Sequence, residues 1–217
     1  MSSRPAAGGG RWVEVDPARV GRWVEGFGER HGPPTTTIQG YGLLLAAPDG
    51  ATAELHSPPG APAVPDVPGF VAAATTPRRI GLLLARKGAV AVGVAAGEEL
   101  TVSKVDTRYV QGRTAAGGWS QHRFARRRDN QAKAALGDAA DLAVRLLLPQ
   151  ASTLAAVVCG GDRRAVDTVL ADRRLAPLAA LRAERLLDVP EPRHAVLVSA
   201  IAAARAVRIL VRDPDPA

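Results

Sequence analysis

The sequence predicts an α/β protein, more narrowly α+β, built as a mixed sheet with flanking helices. Three observations carry that expectation. Short apolar runs joined by turn residues fill 35–110, an apolar stripe of helical period follows at 124–148, and 153–211 alternates strand, helix, strand, helix, strand. At 217 residues the chain can bury a real core, and with 47% hydrophobic but only 4% aromatic residues that core must be mostly Ala, Val and Leu. No internal repeat or linker divides it, so one domain is expected over 11–212, between a disordered tail at 1–10 and a short tail at 213–217.

Asp16-Pro17 reads as an N-cap followed by proline at the first helical position, and Val20, Trp23, Val24 and Phe27 then share one face of a helix reaching about His31. Thr35–Ala46 and Ala51–His56 are strand-like runs around the turn Pro48-Asp49-Gly50. Five prolines between Ser57 and Gly69 read as a surface loop. Arg79–Ala85 and Ala89–Ala95 form a hairpin through Arg86-Lys87-Gly88, and Glu98–Val110 continues as a third strand. In that strand Val102, Lys104, Asp106 and Arg108 alternate with Ser103, Val105, Thr107 and Tyr109, so the charges share one face.

Phe124–Leu148 is expected as a helix, with Ala132, Ala135, Leu136, Ala139, Leu142, Ala143 and Leu146 as its apolar stripe. The last third is expected as a strand at Thr153–Cys159, a helix at Asp162–Ala171, a strand at Arg185–Val189, a helix at Arg193–Ala204 and a strand at Val207–Val211.

Several chemistries lack their residues. His31, His56, His122 and His194 are scattered and no Cys/His/carboxylate set has ligand spacing, so neither a metal nor another cofactor is expected. No phosphate-cradling glycine–lysine loop or dinucleotide fingerprint is present. Glycines do separate a strand from a helix at Cys159-Gly160-Gly161-Asp162, but a tight turn with Asp162 as N-cap accounts for them. The one cysteine, Cys159, lies in an apolar run and reads as a buried structural thiol in a reducing compartment. The N-terminus has no apolar signal region, and the best membrane candidate, Ala195–Val211, is interrupted by Arg205 and Arg208, so a cytoplasmic protein without a membrane partner is expected. Ser120 and His122 flank Gln121, but no nucleophile elbow surrounds them.

Positive charge is concentrated. Lys104, Arg108, Arg113, Arg123, Arg126, Arg127, Arg128 and Lys133 stand against Asp106 and Asp129, so this window carries a net charge of +6 out of the chain's formal net charge of +7. Such local excess marks a polyanion partner, and arginine forks suit phosphate. The two acids look better suited to holding arginines than to paired acid–base work. Ahead of the arginines, Gly117-Gly118-Trp119-Ser120-Gln121 forms a glycine-rich tip. An amide cannot act as a base, but Gln121 can orient a water or hydroxyl by donating and accepting at once, beside backbone N–H groups that stabilise developing negative charge. Trp119 can stack on a terminal base or anchor the loop on its own domain. A solvated arginine face that binds RNA without chemistry is the plainer reading of the same residues.

Gly118-Trp119-Ser120-Gln121 resembles the G-x-x-Q motif of the Vms/ANKZF-type release-factor-like family, in particular its actinobacterial branch. Thr107–Arg113 leading in and Arg126–Ala132 leading out fit that branch, and the match is concentrated in about 105–133. The family is related to the catalytic domain of eukaryotic and archaeal class I release factors, whose loop is Gly-Gly-Gln. The resemblance implies an RNase H-like fold and a metal-independent peptidyl-tRNA hydrolase. It would act on the CCA end of peptidyl-tRNA on a stalled large ribosomal subunit, within ribosome-associated quality control.

By the same resemblance Gln121 is the catalytic glutamine, with Gly117 and Gly118 as loop glycines. Arg108, Arg113, Trp119, Arg123, Arg126, Arg127, Arg128 and Lys133 are the RNA contacts. Because Trp119 and Ser120 separate the glycines from Gln121, cleavage of the tRNA 3′ end stands beside ester hydrolysis as an alternative. Oligomeric state is left open.

Overall fold

A computed structural model of the protein describes residues 2–86, 88–107 and 136–214. In chain order the first elements are β1 (Ser2–Pro5), β2 (Arg11–Val15), α1 (Val20–His31), β3 (Thr35–Gln39), β4 (Gly42–Ala46), β5 (Thr52–His56) and α2 (Val67–Thr75). Then come β6 (Arg79–Arg86), β7 (Ala89–Ala96), β8 (Glu99–Thr107) and α3, whose described turns cover 136–146. The chain ends with β9 (Ala156–Gly161), α4 (Arg163–Leu170), α5 (Ala176–Ala180), β10 (Arg182–Leu187), α6 (His194–Arg205) and β11 (Val207–Arg212).

The mixed α+β class holds, but the strands form two sheets rather than the single mixed sheet expected. Where the sequence reads as one domain over 11–212, the chain clusters into two compact units, Met1–Pro77 with Ala202–Ala217, and Arg78–Ile201. The difference arises at β11. Its run continues the strand–helix alternation before it, yet it pairs antiparallel with β2 on one side and β5 on the other. Alternation says which face of a strand is buried and nothing about which strand lies beside it.

The first unit holds an antiparallel six-stranded sheet in the order β1-β2-β11-β5-β4-β3. Its strands alternate as a half-buried sheet should. Val13, Val15, Leu43, Leu45, Ala53, Leu55, Val207, Ile209 and Val211 face a core completed by Val20 and Phe27 of α1 and by Phe70 and Ala74 of α2. Within the stretch read as a tail, β1 pairs with β2 in register from Ser2–Glu14 to Pro5–Arg11. Gly8, Gly9 and Gly10, all at positive φ, let the chain reverse between them.

Thr35–Ala46 is likewise two strands, β3 and β4, folded over at Gly40-Tyr41. The proline-rich stretch ends in a helix that the loop reading missed. The Asp66 side chain accepts a hydrogen bond from the Gly69 amide, and Pro68 occupies the first turn, where a missing N–H costs nothing.

The second unit holds a mixed five-stranded sheet, β10-β9-β6-β7-β8, in which β9 runs parallel to both β6 and β10. β6 and β7 are buried along nearly their whole length, as strands covered on both faces must be. Ala139, Ala140, Leu142 and Ala143 of α3, together with Val166 and Val169 of α4, pack on Leu83, Val92, Val94, Val157 and Cys159. On the opposite face Leu197 of α6 lies where a Cβ on Gly93 would meet its Cδ2 at 2.9 Å. A 3₁₀ segment at Leu148–Thr153 occupies the start of the run expected as a strand from Thr153, and β9 begins at Ala156. Among the described residues no helix is long and apolar enough to cross a membrane.

Candidate functional site

The residues expected to act lie together in the chain, on the segment between β8 and α3. Gln121, Gly117, Gly118, Arg108, Arg113, Trp119, Arg123, Arg126, Arg127, Arg128 and Lys133 all fall within 108–135, outside the described residues. The described structure shows what holds the two ends of that segment.

β8 is an edge strand, hydrogen-bonded to β7 from Glu99–Ala96 to Thr107–Ala89. Val102, Lys104 and Asp106 occupy exposed positions while Ser103 and Val105 are half-buried, as the alternation predicts. The returning end is α3, fixed by its alanine and leucine stripe in the core of the same unit. Both described ends of the segment thus belong to one unit, β8 through its pairing with β7 and α3 through its packing on the same core.

Beside these ends lies a cleft of about 420 Å³ lined by Asp106, Asp138, Asp141, Val144, Arg145 and Arg174. Asp106 is the last acid of β8, and Asp138, Asp141 and Arg145 follow one another at helical spacing along α3. Arg174 organises the opposite wall. It donates to Asp141 at 2.8 Å and to both carboxylate oxygens of Asp172, at 3.0 and 2.6 Å, while its backbone amide also donates to Asp172. Side-chain and then backbone hydrogen bonds from Arg174 hold the Asp172 carboxyl down at about 2, and the same pairing raises the Arg174 guanidinium above its ordinary value. The sequence pointed to Asp106 but not to Asp138, Asp141, Arg145 or Arg174. The i, i+3, i+7 spacing on α3 was a readable signal for three of them, whereas Arg174 arrives from a separate turn.

The secondary sites weighed in the sequence resolve as packing. Cys159 is fully buried, and burial pushes its thiol up to about 11, far from a reactive thiolate. Gly161 has φ +94° and lies so close to β6 that a Cβ would meet the Ala85 carbonyl oxygen at 2.3 Å. Asp162 accepts from the amides of Arg164 and Ala165 and so already occupies the N-terminus of α4. Among the described residues no group of three or more His, Cys, Asp and Glu side chains is placed to hold a metal ion.

Fold and chain order together define an α+β protein in which an edge strand and a packed helix bracket a glycine-rich, arginine-headed segment. The chain belongs to the Actinobacteria/chloroflexi VLRF1 release factor family, which matches residues 78–210. That is more than half of the chain, and it makes this a release-factor-like protein of translation. No curated protein matches the chain by sequence. Among solved structures, the chain is similar to the archaeal translation termination factor aRF1, at 19% identity and a TM-score of 0.40, covering 58% of this chain and 36% of that one. It is also similar to a structure described only as an archaeal protein, at 17% identity and a TM-score of 0.39, covering 74% of this chain and 52% of the other. The chain therefore spans between about a third and about half of the length of these structures.

Proposed function

We propose that the protein is a peptidyl-tRNA hydrolase that frees nascent chains from stalled large ribosomal subunits in the cytoplasm, with Gln121 positioning the attacking water. The main support is that residues 111–131 lie wholly inside the stretch matched by the release factor family. The distribution of charge adds to it, because a window of net charge +6, out of +7 for the whole chain, surrounds the one glutamine that closely follows a glycine pair.

In this reading the arginines and Lys133 bind tRNA and ribosomal RNA phosphates, and the glycines let the tip approach the CCA end closely. The Gln121 amide accepts from a water and donates to the developing oxyanion or the leaving oxygen. The water oxygen then bonds to the ester carbonyl carbon. The carbon–oxygen bond to the terminal ribose breaks, and the proton lost by water ends on the ribose hydroxyl. The peptide leaves as a carboxylic acid that gives its proton to solvent, and the tRNA leaves intact.

Trp119 and Ser120 place two residues between the glycines and Gln121 and so favour a second outcome. A ribose 2′-hydroxyl held by the same amide would attack the neighbouring phosphate and break its bond to the 5′-oxygen of the next nucleotide, which takes the proton; the products are a tRNA shortened at its 3′ end with a cyclic phosphate and a fragment with a free 5′-hydroxyl. Purified protein incubated with large subunits carrying labelled peptidyl-tRNA separates these outcomes. Released peptide with full-length tRNA is expected. Peptide still joined to a CCA fragment assigns the second chemistry. Binding with neither product, or full activity in Gln121→Ala, overturns the catalytic reading.

A further inference from the structure

The stretch before residue 78 lies outside the family match, and it builds most of the six-stranded sheet. One face of that sheet carries the core described above. The other face has a composition that the fold does not require. Register places Arg4, Trp12, Leu210, Glu54 and Leu44 across one row, and Glu14, Arg208, His56 and Gly42 across the next.

These side chains form a continuous ladder. The rings of Tyr41 and His56 stack at 4.6 Å and 15°, the ring of Trp12 meets His56 edge-on at 5.0 Å, and the Arg208 guanidinium lies 4.0 Å over the Trp12 ring. None of the four is in the buried core; each keeps part of its surface exposed.

The charges on this face are arranged at a cost. Glu54 is engaged by Arg212, which leaves Arg4 and Arg208 with Glu14. Burial and then the charge of Arg4 hold the Arg208 guanidinium below its ordinary value, while the charge of Glu14, its cross-strand partner, works the other way. The Arg208 Nε is buried without a hydrogen-bond partner among the described residues. A further anion beside Arg4 and the Arg208 guanidinium adds to the compensation that Glu14 gives. A polyanion that also offers flat rings to the ladder meets both needs.

We propose that this face of the six-stranded sheet binds single-stranded RNA, with phosphates at Arg4 and Arg208 and bases stacked along Tyr41, His56 and Trp12. Partly exposed rings grouped at a sheet face and its adjoining turn are a general solution for unpaired bases, since every base has a π-face, while duplex bases are already stacked on one another. The surface is separate in sequence from residues 108–135, so it is a second RNA contact independent of the catalytic reading. It gives the N-terminal stretch a task of its own, gripping an unpaired strand.

The test uses the full chain carrying Arg126→Ala, Arg127→Ala and Arg128→Ala, to lower binding by the loop. Trp23→Phe and Trp119→Phe are added so that Trp12 is the sole tryptophan. A labelled oligouridine of about twelve nucleotides, matching the upper range of single-strand sites, is titrated by anisotropy while Trp12 emission is followed, with a duplex of equal length as the control. Oligouridine is expected to bind better than duplex and to quench Trp12. Tyr41→Ser should weaken binding about tenfold. Arg4→Gln, on an exposed edge position where folding is not at stake, should lower the slope of log affinity against log salt by about 0.7. Equal affinity for duplex, an unquenched Trp12, or an unchanged salt slope in Arg4→Gln overturns the proposal. Failure here leaves peptide release from large subunits unaffected as a separate measurement.

Discussion

The two sheets of this protein solve burial in opposite ways. In the five-stranded sheet, β6 and β7 are buried on both faces, with near-continuous runs such as Ile-Gly-Leu-Leu-Leu-Ala and Ala-Val-Ala-Val-Gly-Val-Ala. Such a sheet has no free face for chemistry, and the polar, glycine- and arginine-rich residues sit on the segment that leaves its edge strand. In the six-stranded sheet one face carries the core, and on the other Leu210 is buried while Trp12, Tyr41, His56, Arg208 and Arg212 keep part of their surface exposed. In the proposed reading the doubly covered sheet carries the reacting segment and the other sheet uses its own side chains as a surface. Under that reading the two units have different tasks, and the contrast can be broken.

The largest effect should come from the core of the six-stranded sheet. Phe27 is fully buried between α1 and that sheet, so Phe27→Ala is expected to cost about 3–5 kcal/mol in denaturant unfolding. Amide exchange should rise most across β4, β5 and β11; an equal rise across β6, β7 and β9 would mean that the two cores are not separately held. Next in size is the loop carried by the other sheet. Gln121→Ala should slow peptide release about 10²–10³-fold while leaving large-subunit binding intact, since one lost oxyanion or water contact is typically worth roughly 3–4 kcal/mol.

A smaller effect is expected from charge on the same loop. Replacing Arg126, Arg127 and Arg128 with Ala should lower the salt slope of RNA binding by about 2, and an unchanged slope removes them from the phosphate contacts. The smallest lies at the cleft beside the loop. The Asp172 carboxyl, held at about 2 by Arg174, stabilises the fold fully above its ordinary value near 4, and that contribution is lost as pH falls through 2. Because the pair is exposed, Asp172→Asn should lower Tm by no more than about 2 °C at neutral pH. The gap should close between about pH 4 and pH 2; a gap that widens on acidification contradicts the assignment.

Much of this was legible before any coordinates. The 3.6-residue period of Val20, Trp23, Val24 and Phe27 announced α1, the Asp162 cap announced α4, and the apolar setting of Cys159 announced its burial. These are local signals, fixed by backbone geometry and by how often a side chain returns to the same side of its element. The family resemblance was equally local, carried by residues 105–133. Less legible were short elements whose formation depends on a distant partner. β1 has little strand propensity in Ser-Ser-Arg-Pro and exists because β2 lies beside it, and α2 hides among prolines until the Asp66 cap is set against its fold.

By itself, the sequence determined the α+β class, the faces its helices and strands would bury, and the one window where positive charge and a glycine-flanked glutamine coincide. Only the tertiary structure decided that β11 crosses to the first sheet and sits between β2 and β5. Only it brought Asp106, Asp141 and Arg174 to one cleft, and Arg4, Trp12 and Arg208 to one face. The physical reason is the same in each case: periodicity encodes which side of an element is apolar, while the choice of neighbour is made by the packing of elements far apart in the chain.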